Sequence, residues 1–202
     1  DYNIWRQLGN KGWSWKDVLP YFIKSENQER GKSAYHGDNG PLSVSDPRIK
    51  LDLLERFMDA AEEKGIPKID DFNKGDNFGC GYFQVTEKNG LRCSAAVGYL
   101  NPIKKRRNLK IETNCHVEKI NFDGTKAVSV SFWKGNETNI VSANKEILLS
   151  AGSIGSTQIL QTSGVGNVDK LSNLGIKMIK DLKGVGQNLQ DHLMFRPVYK
   201  VK

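Results

Sequence analysis

Glu146-Ile147-Leu148-Leu149-Ser150-Ala151-Gly152-Ser153-Ile154-Gly155-Ser156 is the stretch on which the architecture turns. Residues 146–150 are almost continuously apolar, which predicts a strand buried on both faces. The run stops at small residues, and a helix is expected over 157–162, closed by Ser163-Gly164. A strand that ends in small residues lets a ligand approach the main chain closely. The helix N-terminus behind it offers unpaired N–H groups and the positive end of the helix dipole, which suit a phosphate or a ribose. The plain alternative is that Gly152 and Gly155 only make a tight connection in an α/β fold.

Outward from this stretch, the chain toward the C-terminus predicts a helix over 168–174 ending at Gly175, a strand over 177–180 and a loop over 182–188. Toward the N-terminus lies a different pattern. Extended segments at 109–113 and 116–122 precede the turn Asp123-Gly124-Thr125. Val128, Val130 and Phe132 then alternate with Ser129, Ser131 and Trp133, as in a half-buried strand. Lys134-Gly135-Asn136 turns the chain and 138–142 returns, completing an antiparallel meander. Earlier, a strand is expected over 80–86, a turn at Lys88-Asn89-Gly90 and a short helix over 94–100. The first third reads as helix and loop. Ser14 with Asp17 caps a helix from Trp15, Pro20 interrupts it, and a second turn covers 21–25. Residues 30–41 read as an exposed loop. The best helix is 49–64, where Leu53, Leu54, Phe57, Met58 and Ala61 recur at helical spacing before Gly65 and Pro67. The fold class is mixed α/β (α+β).

Composition bounds the function. With 202 residues, 38% hydrophobic and 26% charged, the chain can bury a core. No run approaches the roughly 18 apolar residues of a membrane helix. The net charge is +7, but its only tight basic run is Lys104-Lys105-Arg106-Arg107. No aromatic residues interleave it, so it reads as a solvated turn and no nucleic-acid partner is expected. Cys80, Cys93 and Cys115 are odd in number and lack metal-binding spacing, which argues for reduced thiols and a cytoplasmic protein, in solution or at the membrane periphery. The chain does not begin with Met and ends inside an alternating run, 194–201, so it reads as an internal piece of something longer.

Several chemistries find no support. His36, His116 and His192 show no metal spacing, and no Gly-x-Ser-x-Gly elbow occurs. Structural roles are the default for His36 and His116; Asp191 beside His192 could orient an imidazole or simply fasten a loop. Gly164-Val165-Gly166 and Gly184-Val185-Gly186 lack the third glycine of the dinucleotide fingerprint, since Asp169 and Leu189 fill those places. Trp5, Trp13, Trp15, Tyr21 and Phe22 cluster near the start and read as two short helices packing on a neighbouring domain, with an aromatic binding wall as the alternative.

The motifs then add a resemblance. Residues 152–166, Gly-Ser-Ile-Gly-Ser-Thr-Gln-Ile-Leu-Gln-Thr-Ser-Gly-Val-Gly, resemble the second signature of the glucose–methanol–choline (GMC) oxidoreductases. That signature usually has Pro where Thr157 stands, and often Asn or Gly at the place of Gly155. Asp1-Tyr2-Asn3 with Trp5, Tyr35-His36-Gly37 with Gly40-Pro41-Leu42, Asn89-Gly90 with Arg92 and Ser94, and 182–192 are similar to further family segments. The flavour is nearest to choline-dehydrogenase-like members.

The resemblance implies a partial FAD-binding domain plus the start of a substrate domain, divided as 1–77 (lid-like helices and loops), 78–187 (FAD-binding portion) and 188–202. It implies FAD as cofactor and a small alcohol, choline-like or another primary alcohol, as substrate. In the whole enzyme a His base would take the hydroxyl proton while hydride passes to flavin N5. The pyrophosphate turn would lie upstream and the catalytic His downstream, so no catalytic residue is assigned here. The electron acceptor stays open. The cofactor residues implied are Val117, whose main chain would meet the adenine edge, and Ser150, Ala151, Gly152 and Ser153. Asn188, Asp191 and His192 are weaker candidates. The alternatives are a flavin-containing hydroxynitrile lyase of the same family and a non-catalytic remnant.

Overall fold

Asp17 starts the first long helix: its carboxylate accepts from the N–H and the hydroxyl of Ser14 at 3.0 and 2.5 Å, the reciprocal bond of a capping box. The computed structural model describes residues 1–200, so the end of the alternating run, 201–202, lies outside the described residues. Two units form, Asp1–Ile111 and a second from Glu112 onward.

In the first unit α1 (Tyr2–Gln7) precedes α2 (Trp15–Ser25). Contrary to expectation, α2 runs through Pro20 without a break. Proline's fixed φ is helical, so the helix continues at the cost of one backbone donor and crowding against the carbonyl of Lys16 four residues back, and the rings of Trp15 and Phe22 pack at 6.2 Å. Tyr2 meets Trp5, Trp15 and Phe22 at 5.1–6.2 Å, so its ring joins the two helices, while Trp5, Trp13, Trp15, Tyr21 and Phe22 stay exposed. The chain then enters β1 (Glu26–Gln28), parallel to β2 (Leu42–Val44). The loop between them is not wholly exposed: His36 and Gly37 turn inward and are buried. Next comes α3 (Asp52–Glu63), shorter than expected at its start, with Asp52 and Glu55 in the first turn, where the helix dipole favours acids. Its apolar stripe is half-open, with Leu53, Leu54 and Phe57 all exposed. The strand expected over 80–86 shrinks to isolated bridges, Lys68 with Cys80 and Ser45 with Val85. A single bridge forms wherever no partner runs alongside for several residues. The turn at Asn89-Gly90 joins β3 (Glu87–Lys88) to β4 (Leu91–Arg92). A π-helical turn (Ala96–Leu100) follows, and the basic run 104–107 lies in an exposed turn.

The second unit opens with the antiparallel meander, β5 (Cys115–Asp123), β6 (Lys126–Lys134) and β7 (Glu137–Ser142), in the order β5-β6-β7. The segment 109–113 stays outside it. In β6 the more buried side chains are Ser129 and Ser131, while Val128, Val130 and Phe132 are half-buried. The reason is polar: the Asn121 amide, one strand over, donates to both serine hydroxyls at 2.9 Å. Lys134 pairs with Glu112 at 2.6 Å, and that bond and charge hold the ammonium above its ordinary pKa.

After the meander, α4 (Gly152–Thr162) leads into β8 (Val165–Gly166), then α5 (Val168–Asn173) and β9 (Lys180–Asp181). The β8 and β9 strands pair in parallel around α5, a small β-α-β unit. Its strand sits at 180–181 rather than over 177–180. Ile120, Ile159, Val165 and Leu171 are the buried apolar residues of this unit.

The decisive stretch behaves differently from its reading. Residues 146–150 form no strand among the described residues, and Leu148 is 80% exposed. A strand buried on both faces needs a hydrogen-bonded neighbour and covering layers, and among the described residues none stands at that place. Among the described residues no helix is long and apolar enough to cross a membrane.

Candidate functional site

Ser150, Ala151, Gly152 and Ser153 are all exposed; Gly152 and Ser153 form the first turn of α4, Ala151 is its N-cap and Ser150 stands just before it. The helix therefore begins five residues earlier than the sequence suggests. Gly152 has φ +80°, a left-handed conformation, and a Cβ placed there would find nothing within 4 Å. The space beside the main chain is thus open, and only glycine takes that backbone without strain.

The first turn is held from within. The Ala151 N–H donates to Ser156 Oγ at 3.0 Å, and the Thr157 hydroxyl donates to the Ser153 carbonyl at 2.8 Å. Ala151 at the N-cap has no side chain to satisfy the turn. The first N–H groups of α4 consequently lack intrahelical partners and stand at the positive end of its dipole. Open main chain, unpaired donors and positive potential suit a phosphate, a pyrophosphate or ribose hydroxyls.

Val117 lies half-buried in β5, opposite Phe132. The register then slips between Val117 and Lys119, leaving Glu118 as the extra residue of a bulge. The Glu118 carbonyl accepts from Thr162 Oγ1 at 2.8 Å, and the Ile120 N–H donates to Ser163 Oγ at 2.8 Å. Val117 is therefore tied to the C-terminal end of α4, whereas 150–153 stand at its N-terminal end. Eleven helical residues separate the two ends, about 16 Å. The two groups of cofactor candidates bracket one helix. Thr162 and Ser163 were not singled out in the sequence; adjacent hydroxyl residues at a helix end are common, and their partners lie some 43 residues away.

The weaker candidates do not join this turn. Asp191 accepts from the main-chain N–H of its neighbour His192 at 2.8 Å, which is the loop-fastening role. Asn188 has φ +53°, and all three residues are exposed.

A second polar cluster occupies the first unit. His36 sits between two carboxylates: Nδ1 lies 2.8 Å from Glu26 Oε2, and Nε2 lies 2.9 Å from Asp71 Oδ2. The Nε2 approach lacks hydrogen-bond alignment. Glu26 also accepts from the Gly37 N–H at 3.2 Å. The cluster borders a cavity of about 650 Å³ whose walls include Trp15, Phe22 and Tyr35. Here the loop-binding role accounts for every polar partner of the imidazole. Among the described residues no group of His, Cys, Asp and Glu could hold a metal ion.

Comparison with known proteins places these features in a family context. The GMC oxidoreductase profile matches residues 1–194. Human mitochondrial choline dehydrogenase is 42% identical over 193 residues, which cover 96% of this chain and 32% of that protein. An oxygen-dependent choline dehydrogenase from Pectobacterium atrosepticum is 43% identical over 206 residues, covering 100% of this chain and 37% of that protein. Among solved structures, an FAD-dependent oxidoreductase from Chaetomium thermophilum superposes with a TM-score of 0.86 at 37% identity, over 94% of this chain and 35% of that one. Pyridoxine 4-oxidase from Mesorbium loti gives a TM-score of 0.85 at 29% identity, over 95% and 38%. The chain spans about a third of the length of these relatives.

Proposed function

The chain belongs to the GMC oxidoreductase family, and on that premise we propose that it forms part of the FAD-binding region of an oxidoreductase acting on the CH–OH group of an alcohol. A choline-like primary alcohol is the proposed substrate class, because the 41–43% identical relatives named for a reaction are choline dehydrogenases. The observation that carries the cofactor reading is the open, left-handed Gly152 at the uncapped start of α4.

FAD, when bound, supplies the acceptor for the hydride leaving the alcohol carbon. This chain's part is to hold and orient. Gly152 leaves the main chain bare so that the nucleotide can lie against it. The first N–H groups of α4 offer donors to ribose or pyrophosphate oxygens. The Val117 main chain is assigned to the adenine edge, and Ser150, Ala151 and Ser153 line the turn. Ser156 fixes Ala151 so that the donors stay aimed. No residue of this chain is assigned a catalytic role, and 188–202 is read as the start of the substrate-binding portion.

Flavin absorbance of the purified protein tests this directly. A full-length protein carrying this chain is expected to be yellow, and Gly152→Val to leave it folded but colourless. The 202-residue chain alone is expected to hold little or no flavin, because it contains no Gly-x-Gly-x-x-Gly pyrophosphate turn. A full-length wild-type protein that neither carries flavin nor takes it up when FAD is added refutes the proposal.

A further inference from the structure

We infer that Thr162 and Ser163 are positioning residues that set the spacing between the adenine-facing strand and the pyrophosphate-facing end of α4. The inference rests on the FAD reading above and deepens it.

Among the described residues the meander leaves one edge of β5 without a strand neighbour, since the order is β5-β6-β7. An uncovered edge presents unpaired donors and acceptors and lets a strand slide or bend. Here the C-terminal end of α4 covers that edge with two hydroxyls. Ser163 Oγ accepts from the Ile120 N–H at 2.8 Å and donates to the Ile159 carbonyl at 2.5 Å. It thus donates one bond and accepts one, and Ser163, Ile120 and Ile159 are all buried. Thr162 Oγ1 reaches the Glu118 carbonyl at 2.8 Å and the Ile159 carbonyl at 3.1 Å. A threonine hydroxyl has one proton, and Ile159 already accepts from the Ser163 hydroxyl and the Ser163 N–H. The Thr162 proton therefore goes to Glu118.

Glu118 is the bulged residue directly after Val117. Without a partner on the α4 side, nothing fixes where the bulge aims the neighbouring main chain. The two hydroxyls turn α4 into a strut: its far end carries Gly152, and its near end is bolted to the bulged Glu118 and to Ile120 two residues beyond it. A dinucleotide held at both ends feels the length of that strut. A mononucleotide held at one end does not.

The test uses the full-length protein stripped of flavin. FAD binding is read by flavin fluorescence quenching, AMP binding by calorimetry and integrity by the thermal midpoint. Thr162→Val and Ser163→Ala are each expected to weaken FAD binding at least tenfold while AMP binding stays within twofold, and Thr162→Ser, which keeps the hydroxyl, to restore FAD binding. Variants that bind FAD as tightly as wild type overturn the strut. So do variants that lose FAD and AMP in equal measure along with the thermal midpoint, because the residues would then be merely structural. Wild-type protein that binds neither nucleotide overturns the cofactor reading itself.

Discussion

Gly164→Ala should destabilise the second unit far more than the same change at Gly175, and the difference measures one close approach. Both glycines sit at positive φ, +86° and +68°, where an alanine costs about 1 kcal/mol in either place. Their surroundings differ. A Cβ on Gly175 meets nothing within 4 Å, whereas on Gly164 it would stand 2.3 Å from the Lys177 carbonyl oxygen and 3.1 Å from the Ile179 nitrogen. Non-bonded heavy atoms settle at about 3.5 Å or more, so the backbone of 177–180 has to move by roughly 1 Å. That segment is held by the bonds from Ile179 N–H and Lys180 N–H to the Gly164 carbonyl, at 2.8 and 3.2 Å. Losing both costs about 1 kcal/mol each and loosens β9 from β8. The totals are about 3 kcal/mol for Gly164→Ala and about 1 for Gly175→Ala. In a chain of this size the gap corresponds to roughly 4–8 °C in Tm. Thermal melts of the two variants side by side check it, with hydrogen exchange at Ile179 and Lys180 as the local readout. Equal melting temperatures, or unchanged protection at those amides in Gly164→Ala, refute the reasoning.

Three further outcomes follow from named contacts. His36→Ala strands Glu26 and Asp71 as half-buried carboxylates without their imidazole partner and should cost about 3 kcal/mol in denaturant melts. Gln161→Ala removes the Nε2–H donor to the Val185 carbonyl at 3.4 Å; it should raise exchange across 184–187 while costing no more than about 1 kcal/mol. Asp17 is held below its ordinary carboxylate pKa by the hydroxyl and then the N–H of Ser14. A depressed folded value means that its support for α2 is complete above the ordinary value of 3.8 and is lost as pH falls through the lower folded value. NMR titration should show α2 amide protection falling in that acid window, and Asp17→Asn should abolish the step.

Elements whose reason lies within a few residues were legible in the amino-acid order. The capping pair Ser14 and Asp17, the meander with its two-residue glycine turns and the α5 helix stopped by Gly175 all appear where the pattern puts them. Each depends on local hydrogen bonds or on a period that neighbouring residues carry. The family resemblance was legible for the same reason: its signatures are contiguous, and the match over residues 1–194 bears it out.

What depends on partners distant in the chain was not. The apolar run 146–150 states a preference for burial, yet whether it becomes a strand rests on neighbours that pair with it, and Leu148 here faces solvent. Ser129 and Ser131 look like the wet side of β6 until Asn121 crosses the sheet to bind them both. His36 looks like a loop residue until Glu26 and Asp71 converge on it from opposite directions in sequence. The hydroxyls of Thr162 and Ser163 acquire a role only when folding lays the end of α4 on the β5 edge. Composition and spacing state what each segment tolerates; which tolerance is used is set by hydrogen-bond partners that three-dimensional packing alone brings within reach.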